Sequence, residues 1–254
     1  MSGTAERVGY TSAADNYVFN RQLRAYKLTK EQISGKILEV GSGIGYGIKE
    51  LAPIAEEYIA LDKYETEVDQ KRYPNVKFIQ EVIPPFASFE NDTFDFVVCF
   101  QVIEHIEEDV EVIAEIKRVL KPGGKLFMTT PNINTTLTRN PWHIREYTTP
   151  EFESLIGSSF QKFDLKGIYG NDVVMQYYND HKASLHKILK YDVFNLQYRL
   201  PSWILRLPYD FLDRVNRHKS HNANPGLLAQ IDSESFYLED VSDQCLDFFV
   251  IAEA

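Results

Sequence analysis

Short apolar runs alternate with longer amphipathic stretches over the first 150 residues, and this alternation most limits the folds open to the chain. Five runs are predicted to be strands: Lys36–Val40, Tyr58–Leu61, Val76–Ile79, Phe94–Phe100 and Lys125–Thr130. Helices are predicted between them: Tyr46–Ala52, Glu65–Tyr73 and Val110–Leu120. Apolar strands that alternate with amphipathic helices are typical of parallel strands buried on both faces. The pattern therefore predicts a doubly wound α/β fold.

The flanks of this core have a different character. A helix is predicted over residues 12–33 before the first strand, and another at Glu151–Ile156 after the fifth. Strands near Phe163–Ile168 and at Cys245–Ala252 would complete a mostly parallel, seven-stranded sheet. We therefore expect four parts: an N-terminal helical segment (1–35), an α/β core (36–170), a helical, aromatic-rich insertion (171–244) and the last strand of the core (245–254).

The composition excludes several classes of protein. With 37 acidic against 27 basic residues and a net charge of −10, the chain lacks the basic surface that non-specific nucleic-acid binding requires. Its longest apolar run, Phe96–Phe100, is far shorter than the roughly 18 residues of a membrane span. Cys99 and Cys245 show no metal-ligand spacing, so we expect no metal site and no disulfide framework. Because the N-terminus is polar, we expect a soluble, cytoplasmic protein.

A glycine-rich segment, EVGSGIG over residues 39–45, ends the first strand. Ligands of open parallel sheets bind beyond the carboxyl ends of the strands, where glycines let the backbone approach them closely. A dinucleotide site needs G-x-G-x-x-G. Counted from Gly41, the third glycine position holds Tyr46, and counted from Gly43 it holds Ile48. The segment instead resembles motif I of the class I S-adenosylmethionine (SAM) dependent methyltransferases.

Acidic residues after the second and third strands extend this resemblance. Asp62 stands where the family has the acid that holds both ribose hydroxyls, although NAD sites share this acid. Glu81 and Val82 match the position that flanks the adenine, where the family usually has aspartate. The resemblance thus implies the following cofactor-binding residues: Glu39, Gly41, Ser42, Gly43, Gly45, Asp62, Lys63, Glu81, Val82 and Gln101.

Two further segments match the family in the expected order. FDFVV over residues 94–98, followed by VIEHI over 102–106, is similar to its FD-x-V…EH segment, and LKPGG over 120–124 is similar to the turn before its fifth strand. The EHI segment and Pro131-Asn132 look most like the small-molecule branch that includes the ubiquinone-biosynthesis O-methyltransferases. The resemblance covers about residues 36–131. It implies a Rossmann-like fold, SAM as cofactor with S-adenosylhomocysteine (SAH) as product, and methyl transfer to a small molecule, most readily at a hydroxyl oxygen.

Two histidines are candidates for the general base that a hydroxyl acceptor needs. His105 follows the fourth strand at the mouth of the sheet, where shaping the pocket is an equal alternative, and His143 lies in the loop after the fifth strand. Arg145 is a candidate for an anionic substrate group, with an ion pair to Glu146 as the alternative. The substrate-binding candidates are Tyr10, Arg145 and Tyr147.

The insertion is expected to select the substrate, because it departs from the shared core. Its aromatic stretch over residues 203–212 packs on the core, covers the site as a lid, or contacts membrane lipid or a second subunit of a homodimer. Two other functions remain open from the residues. One is an NAD(P)-dependent oxidoreductase, which the missing third glycine disfavours, and the other is a non-catalytic SAM-binding partner subunit.

Overall fold

A computed structural model describes residues 13–66, 68–69, 71–190, 196–206, 209–210, 215 and 225–254. Tyr10, a predicted substrate-binding residue, lies outside the described residues, and so do parts of the aromatic stretch 203–212. The strands are β1 (Gly35–Val40), β2 (Ala55–Asp62), β3 (Val76–Gln80), β4 (Phe94–Phe100), β5 (Leu120–Pro131), β6 (Lys162–Gly170), β7 (Phe236–Asp240) and β8 (Asp247–Glu253). The helices include α1 (Asn16–Lys30), α2 (Tyr46–Leu51), α3 (Asp109–Val119), α4 (Thr149–Gly157), α5 (Asp172–Leu189), α6 (Leu196–Arg199) and α7 (Pro225–Leu228).

The described strands form one eight-stranded sheet in the order β3-β2-β1-β4-β5-β8-β6-β7. The first five strands of that order pair in parallel, whereas β8 runs antiparallel to β5 and β6, and β7 runs antiparallel to β6. The predicted α/β fold with a mostly parallel sheet is therefore confirmed. The strand count differs by one, because β7 joins the sheet edge from within the segment that was predicted to be a helical insertion.

The predicted helix over Glu65–Tyr73 is wrong. The described residues of that stretch form a turn at Lys71 and Arg72 and otherwise irregular backbone, with no helix. The Asp69 carboxylate accepts hydrogen bonds from the backbone N–H groups of Lys71 and Arg72, at 3.1 and 3.2 Å. Aspartate side chains compete with helix formation in this way, and Pro74 disfavours helical backbone at the residue before it.

Helices cover both faces of the sheet. Buried residues of α3 and α4 pack on one face together with Leu38 and Val40 of β1. Residues of α1, α2 and α5 pack on the other face, with Ile37 from the same strand. This alternation along β1 follows from the two-residue period of a strand, and a core on both faces is the doubly wound arrangement.

Both cysteines are buried and free of disulfide bonds. Among the described helices, none combines the length and the apolar character that crossing a membrane requires.

Candidate active site

The glycine loop over residues 41–45 follows β1 and is held against the end of β2. The backbone N–H groups of Gly41 and Ser42 both donate to the Leu61 carbonyl, at 2.7 and 3.0 Å. The Gly45 N–H then donates to the Ser42 carbonyl at 2.9 Å. These bonds fix the loop at the carboxyl end of the parallel strands, where sheets of this kind bind their ligands.

Gly41 is the position in this loop that most needs glycine. Its φ is +75°, and a β-carbon there would lie 2.3 Å from Cγ2 of Val102. The loop thus packs directly on the segment that follows β4. Gly43 also has a positive φ, +56°, but no described atom lies within 4 Å of where its β-carbon would be. The backbone at Gly43 therefore borders open space.

Asp62 lies beside this loop, as the sequence predicts. Its Oδ2 accepts a hydrogen bond from the Gly43 N–H and its Oδ1 accepts one from the Tyr64 N–H, both at 2.8 Å. The Thr66 hydroxyl donates to the Gly43 carbonyl at 2.5 Å, so the loop is held from both sides. Lys63, another predicted cofactor contact, is exposed next to this carboxylate.

Glu39 lies beneath the loop and is only 1% exposed. The Tyr26 hydroxyl donates to its Oε1 at 2.7 Å, and a β-carbon on Gly47 would lie 2.1 Å from the same oxygen. Burial raises the pKa of Glu39 to about 7, although the hydrogen bond from Tyr26 lowers it. The carboxyl group is therefore enclosed between α1 and α2, where it positions the loop. Direct contact with the cofactor stays a prediction.

Glu39 makes folding stability depend on pH. Its pKa in the folded protein is about 7, above the ordinary 4.5, so the folded state binds this proton more tightly than the unfolded chain. Stability from this group is full below about pH 4.5 and falls as the pH rises to about 7, by up to about 3 kcal/mol. Glu39→Gln, which cannot titrate, should remove this part of the decline in urea unfolding between about pH 5 and pH 8. The control Glu56→Gln changes an exposed carboxyl and should keep the wild-type profile. Identical profiles for Glu39→Gln and wild type would contradict the prediction.

Oγ of Ser42 and Oε1 of Glu81 are among the buried polar atoms near the loop that have no hydrogen-bond partner among the described residues. The other oxygen of Glu81 accepts a hydrogen bond from Ser88, and the neighbouring Val82 is exposed. A buried polar group without a partner costs about 1–3 kcal/mol, so such atoms favour a ligand that supplies the missing bond. A ligand with hydroxyl and amino groups, as SAM has, fits both atoms.

The two candidate bases lie next to each other. His105 ends the 3₁₀ turn Ile103–His105 after β4, and His143 lies in the loop after β5. Their ring centres are 4.8 Å apart, with the rings nearly perpendicular. Nδ1 of His105 lies 3.0 Å from the Trp142 carbonyl, and Nδ1 of His143 lies 2.6 Å from Oε1 of Glu146. Because those partners are acceptors, each Nδ1 carries a proton.

Glu104, which precedes His105, completes this group and was not singled out by the sequence analysis. It is 1% exposed, and its Oε2 accepts a hydrogen bond from the Thr130 hydroxyl at 3.0 Å. Burial raises the pKa of Glu104, and the nearby rings of His105 and His143 oppose that change. The only signal in the sequence was the EH pair itself. The third member comes from another loop, which only the fold brings close.

Arg145 and Tyr147 are both tied to α3. The Arg145 guanidinium forms an ion pair with Oδ2 of Asp109, and the Tyr147 hydroxyl donates to the same oxygen at 2.9 Å. Glu146, considered as a partner of Arg145, instead pairs with His143. Tyr147 is 2% exposed. The described contacts thus fasten the loop after β5 to a helix, and substrate binding by these two residues stays a prediction.

Gln101 follows β4 with an unusual backbone conformation, φ +56°. Its backbone N–H donates to the Thr129 carbonyl at 3.0 Å, and its side-chain amide donates to the Thr129 hydroxyl at 3.2 Å. Such a φ costs a residue other than glycine about 1–3 kcal/mol and is found most often at functional sites.

Nearby, the buried Asp247 of β8 pairs with Arg21 of α1 at 3.1 Å, a contact that sequence reasoning missed.

Comparison with known proteins agrees with this arrangement. A family profile described as "Methyltransferase domain" matches residues 38–128. A "Probable S-adenosylmethionine-dependent methyltransferase" of Mycolicibacterium smegmatis is 35% identical over 179 residues, which are 65% of this chain and 68% of that protein. A "Ubiquinone biosynthesis O-methyltransferase" of Hahella chejuensis is 30% identical over 105 residues, which are 39% of this chain and 44% of that one.

The fold is also that of solved methyltransferases. The structure of a SAM-dependent methyltransferase from Thermotoga maritima matches with a TM-score of 0.55 at 15% identity, covering 93% of this chain and 91% of that one. At such low identity this likeness shows the fold alone. The relative from Mycolicibacterium smegmatis shows the family, because it is 35% identical and more than two thirds of its length is matched. The chain therefore belongs to the SAM-dependent methyltransferases, enzymes that use S-adenosylmethionine as cofactor.

Proposed function

We propose that this enzyme transfers the methyl group of SAM to a hydroxyl oxygen of a small molecule. The observation that carries the proposal is the histidine pair next to the segment that packs on the glycine loop. Val102, whose side chain borders Gly41, is three residues before His105. A hydroxyl oxygen must lose its proton to become a good nucleophile, and groups that assist this loss belong close to the methyl donor.

The residues around the loop have complementary roles in binding the cofactor. Asp62 accepts hydrogen bonds from the ribose hydroxyls, Glu81 accepts one from the adenine amino group, and the loop backbone at Gly43 borders the ligand. When bound, SAM supplies a methyl group that is activated by a positively charged sulfur. When the carbon–sulfur bond breaks, its electron pair stays on sulfur. Holding both reactants in line lowers the activation barrier by roughly 7–11 kcal/mol, whereas removal of the hydroxyl proton by a general base lowers it by about 3–5 kcal/mol.

The insertion is the part that selects the substrate, and it contacts Trp142, which lies next to His143 in sequence. The Trp142 indole N–H donates to Asp210 at 2.8 Å, and the Arg206 guanidinium lies 4.4 Å from the centre of the Trp142 ring. The Trp142 carbonyl accepts the hydrogen bond that orients the His105 ring. The insertion therefore contacts the loop residue that positions this histidine. These contacts support a lid over the active end of the sheet.

Other expectations stay predictions. Tyr198 and Trp203 are 64% and 72% exposed, which suits contact with a second copy of the chain or with lipid. A cytoplasmic location stays a prediction, and the net charge of −10 supports an acceptor other than nucleic acid.

The test is methyl transfer from labelled SAM to pairs of small molecules that differ only in carrying a hydroxyl or an amino group. We expect labelled product from hydroxyl compounds, with the new methyl on oxygen by NMR. His105→Gln should lower the rate by about 10²–10⁴-fold with little change in SAH affinity. The matched control His186→Gln, on α5, should leave the rate unchanged. Transfer to the amino compounds alone would contradict the proposal, and so would SAH binding without turnover of any compound.

A further inference from the structure

The insertion is fastened to the loop after β5 by two side chains of that loop. The Arg139 guanidinium donates to the carbonyls of Gln197 and Leu200, at 2.8 and 3.1 Å. Three residues later, the Trp142 indole N–H donates to the Asp210 carboxylate at 2.8 Å. These bonds hold the described part of the insertion against the loop that carries one of the two candidate bases.

Arg206 of the insertion lies at this contact and has no acceptor. Its guanidinium carbon is 4.4 Å from the centre of the Trp142 ring, and its Nε is buried without a hydrogen-bond partner among the described residues. No described carboxylate forms an ion pair with it, and Asp210 accepts from the indole. The other half-buried arginines of the described chain each pair with a carboxylate or donate to a carbonyl: Arg21, Arg24, Arg118 and Arg139.

A guanidinium in this state suits an anionic group of a ligand. Charged groups that are withdrawn from water are normally paired, and arginine presents a planar fork of N–H donors that matches the two oxygens of a carboxylate or phosphate. Stacking on Trp142 orients the Arg206 side chain without using those donors. Arg145, which the sequence suggested for an anionic substrate group, already pairs with Asp109.

The residue on which Arg206 stacks also belongs to the proposed acceptor site. Nδ1 of His105 lies 3.0 Å from the Trp142 carbonyl, and His143 follows Trp142 in sequence. Ile144, the next residue of the loop, is 52% exposed. Small-molecule sites combine apolar side chains with a few placed polar groups. This loop and Arg206 together therefore favour a ligand with an apolar body and one anionic group.

We propose that Arg206 binds a carboxylate or phosphate group of the methyl acceptor. The acceptor class is then an apolar hydroxyl compound that carries an anionic group. Both kinds of anion offer paired oxygens to the guanidinium fork, and the methyl group goes to the hydroxyl and not to the anion. The role of Arg206 is to select and place the acceptor, with no proton moved to or from it. This inference rests on the proposed function and names the substrate class of the same site.

Binding is tested first without turnover, on the full chain saturated with SAH. The probes are hydroxyphenylpropanoate, its uncharged methyl ester and hydroxyphenylethyl phosphate. Trp142 and Trp203 are the two tryptophans of the chain, so Trp203→Phe leaves Trp142 as the fluorescent reporter. We expect both anions to change its emission and to bind at least about tenfold more tightly than the ester, because hydrogen bonds to charged groups are the strong ones. The tighter anion shows which of the two groups the site takes.

Variants then separate recognition of charge from packing. Arg206→Gln should weaken the binding of both anions by about tenfold to a hundredfold and leave binding of the ester unchanged. Arg206→Lys, which keeps the charge but lacks the fork, should recover part of that affinity. Arg199→Gln changes an exposed arginine of α6 in the same insertion and should bind like wild type. Unchanged SAH affinity in each variant shows that it is folded.

Three results would overturn the inference. They are binding of neither anion, equal binding of anions and ester by the wild type, and an equal loss for all three probes in Arg206→Gln, which assigns Arg206 to packing on Trp142. In turnover we expect Arg206→Gln to raise the KM of the anionic acceptors at least about tenfold with little change in kcat. Methyl transfer to uncharged hydroxyl compounds alone would overturn the inference and leave the proposed function. Transfer to amino groups alone would overturn the proposed function, while the fluorescence titration still decides anion binding by Arg206.

Discussion

Gly41→Ala should abolish SAM binding at ordinary ligand concentrations. The new β-carbon would lie 2.3 Å from Cγ2 of Val102, on a backbone whose φ is +75°. The positive φ costs roughly 1–2 kcal/mol for a residue with a side chain, and overpacking adds about 1–3 kcal/mol. The clash is relieved by a shift of the Val102 side chain or by movement of the loop away from the segment after β4, and loop movement disturbs the position that borders the cofactor. We expect SAH affinity to fall at least a hundredfold by calorimetry.

Gly123→Ala is the matched control for backbone strain. Gly123 has a φ of +78°, close to that of Gly41, but no described atom lies within 4 Å of its would-be β-carbon. It lies near the start of β5, at the end of the strand opposite the loop. This variant should lose about 1–2 kcal/mol of unfolding free energy and keep its SAH affinity. Equal loss of affinity in the two variants would contradict a specific role for the Gly41 contact.

Asp62→Ala should also lower SAH affinity a hundredfold or more. The carboxylate holds the backbone N–H groups of Gly43 and Tyr64 at 2.8 Å, and it is the residue we assign to the ribose hydroxyls. A hydrogen bond to a charged group contributes about 1.5–3 kcal/mol, and each 1.4 kcal/mol is tenfold in affinity. The substitution removes the acceptor and loosens the loop together, so the two losses add.

Asp69→Ala is the control for loss of backbone capping alone. Asp69 is exposed in the same connection between β2 and β3, and its carboxylate likewise accepts from two backbone N–H groups. We expect a small loss of stability and an unchanged SAH titration. If Asp62→Ala also bound SAH normally, the ribose would have to be held elsewhere, and the assignment of the cofactor position would be wrong.

The sheet could be predicted because its strands are buried on both faces. A continuous apolar run such as Phe94–Phe100 is stable only where both of its faces are buried, as in the centre of a sheet. Its predicted bounds are those of β4. The edge strand β7 was missed for the opposite reason. In its sequence, FYLED, only Phe236 is buried, so it lacks the apolar run that identified the central strands. The helix predicted over Glu65–Tyr73 failed because the Asp69 side chain supplies a turn that apolar spacing does not reveal.

The site shows the same division between local and long-range information. Gly41 and Asp62 belong to local motifs, and the structure places the Asp62 carboxylate against the loop that contains Gly41. The proximity of Glu104 and His143 could not be predicted from the sequence, because a helix, a strand and a loop separate them and the pairing of β4 with β5 brings them together. The buried ion pair of Arg21 with Asp247 is likewise a contact between the two ends of the chain. Such pairs are created by tertiary packing, which leaves no periodic trace in the sequence.

Calorimetric titration of the purified chain with SAH, with NAD in a parallel experiment, tests the central claim most directly. The claim is that the glycine loop, Asp62 and Glu81 form a site for SAM. We expect micromolar binding of one SAH per chain, no heat from NAD, and loss of the SAH signal in Gly41→Ala but not in Gly123→Ala. Binding of NAD with no response to SAH would contradict the account, because the loop would then hold a dinucleotide despite lacking the third glycine of that motif.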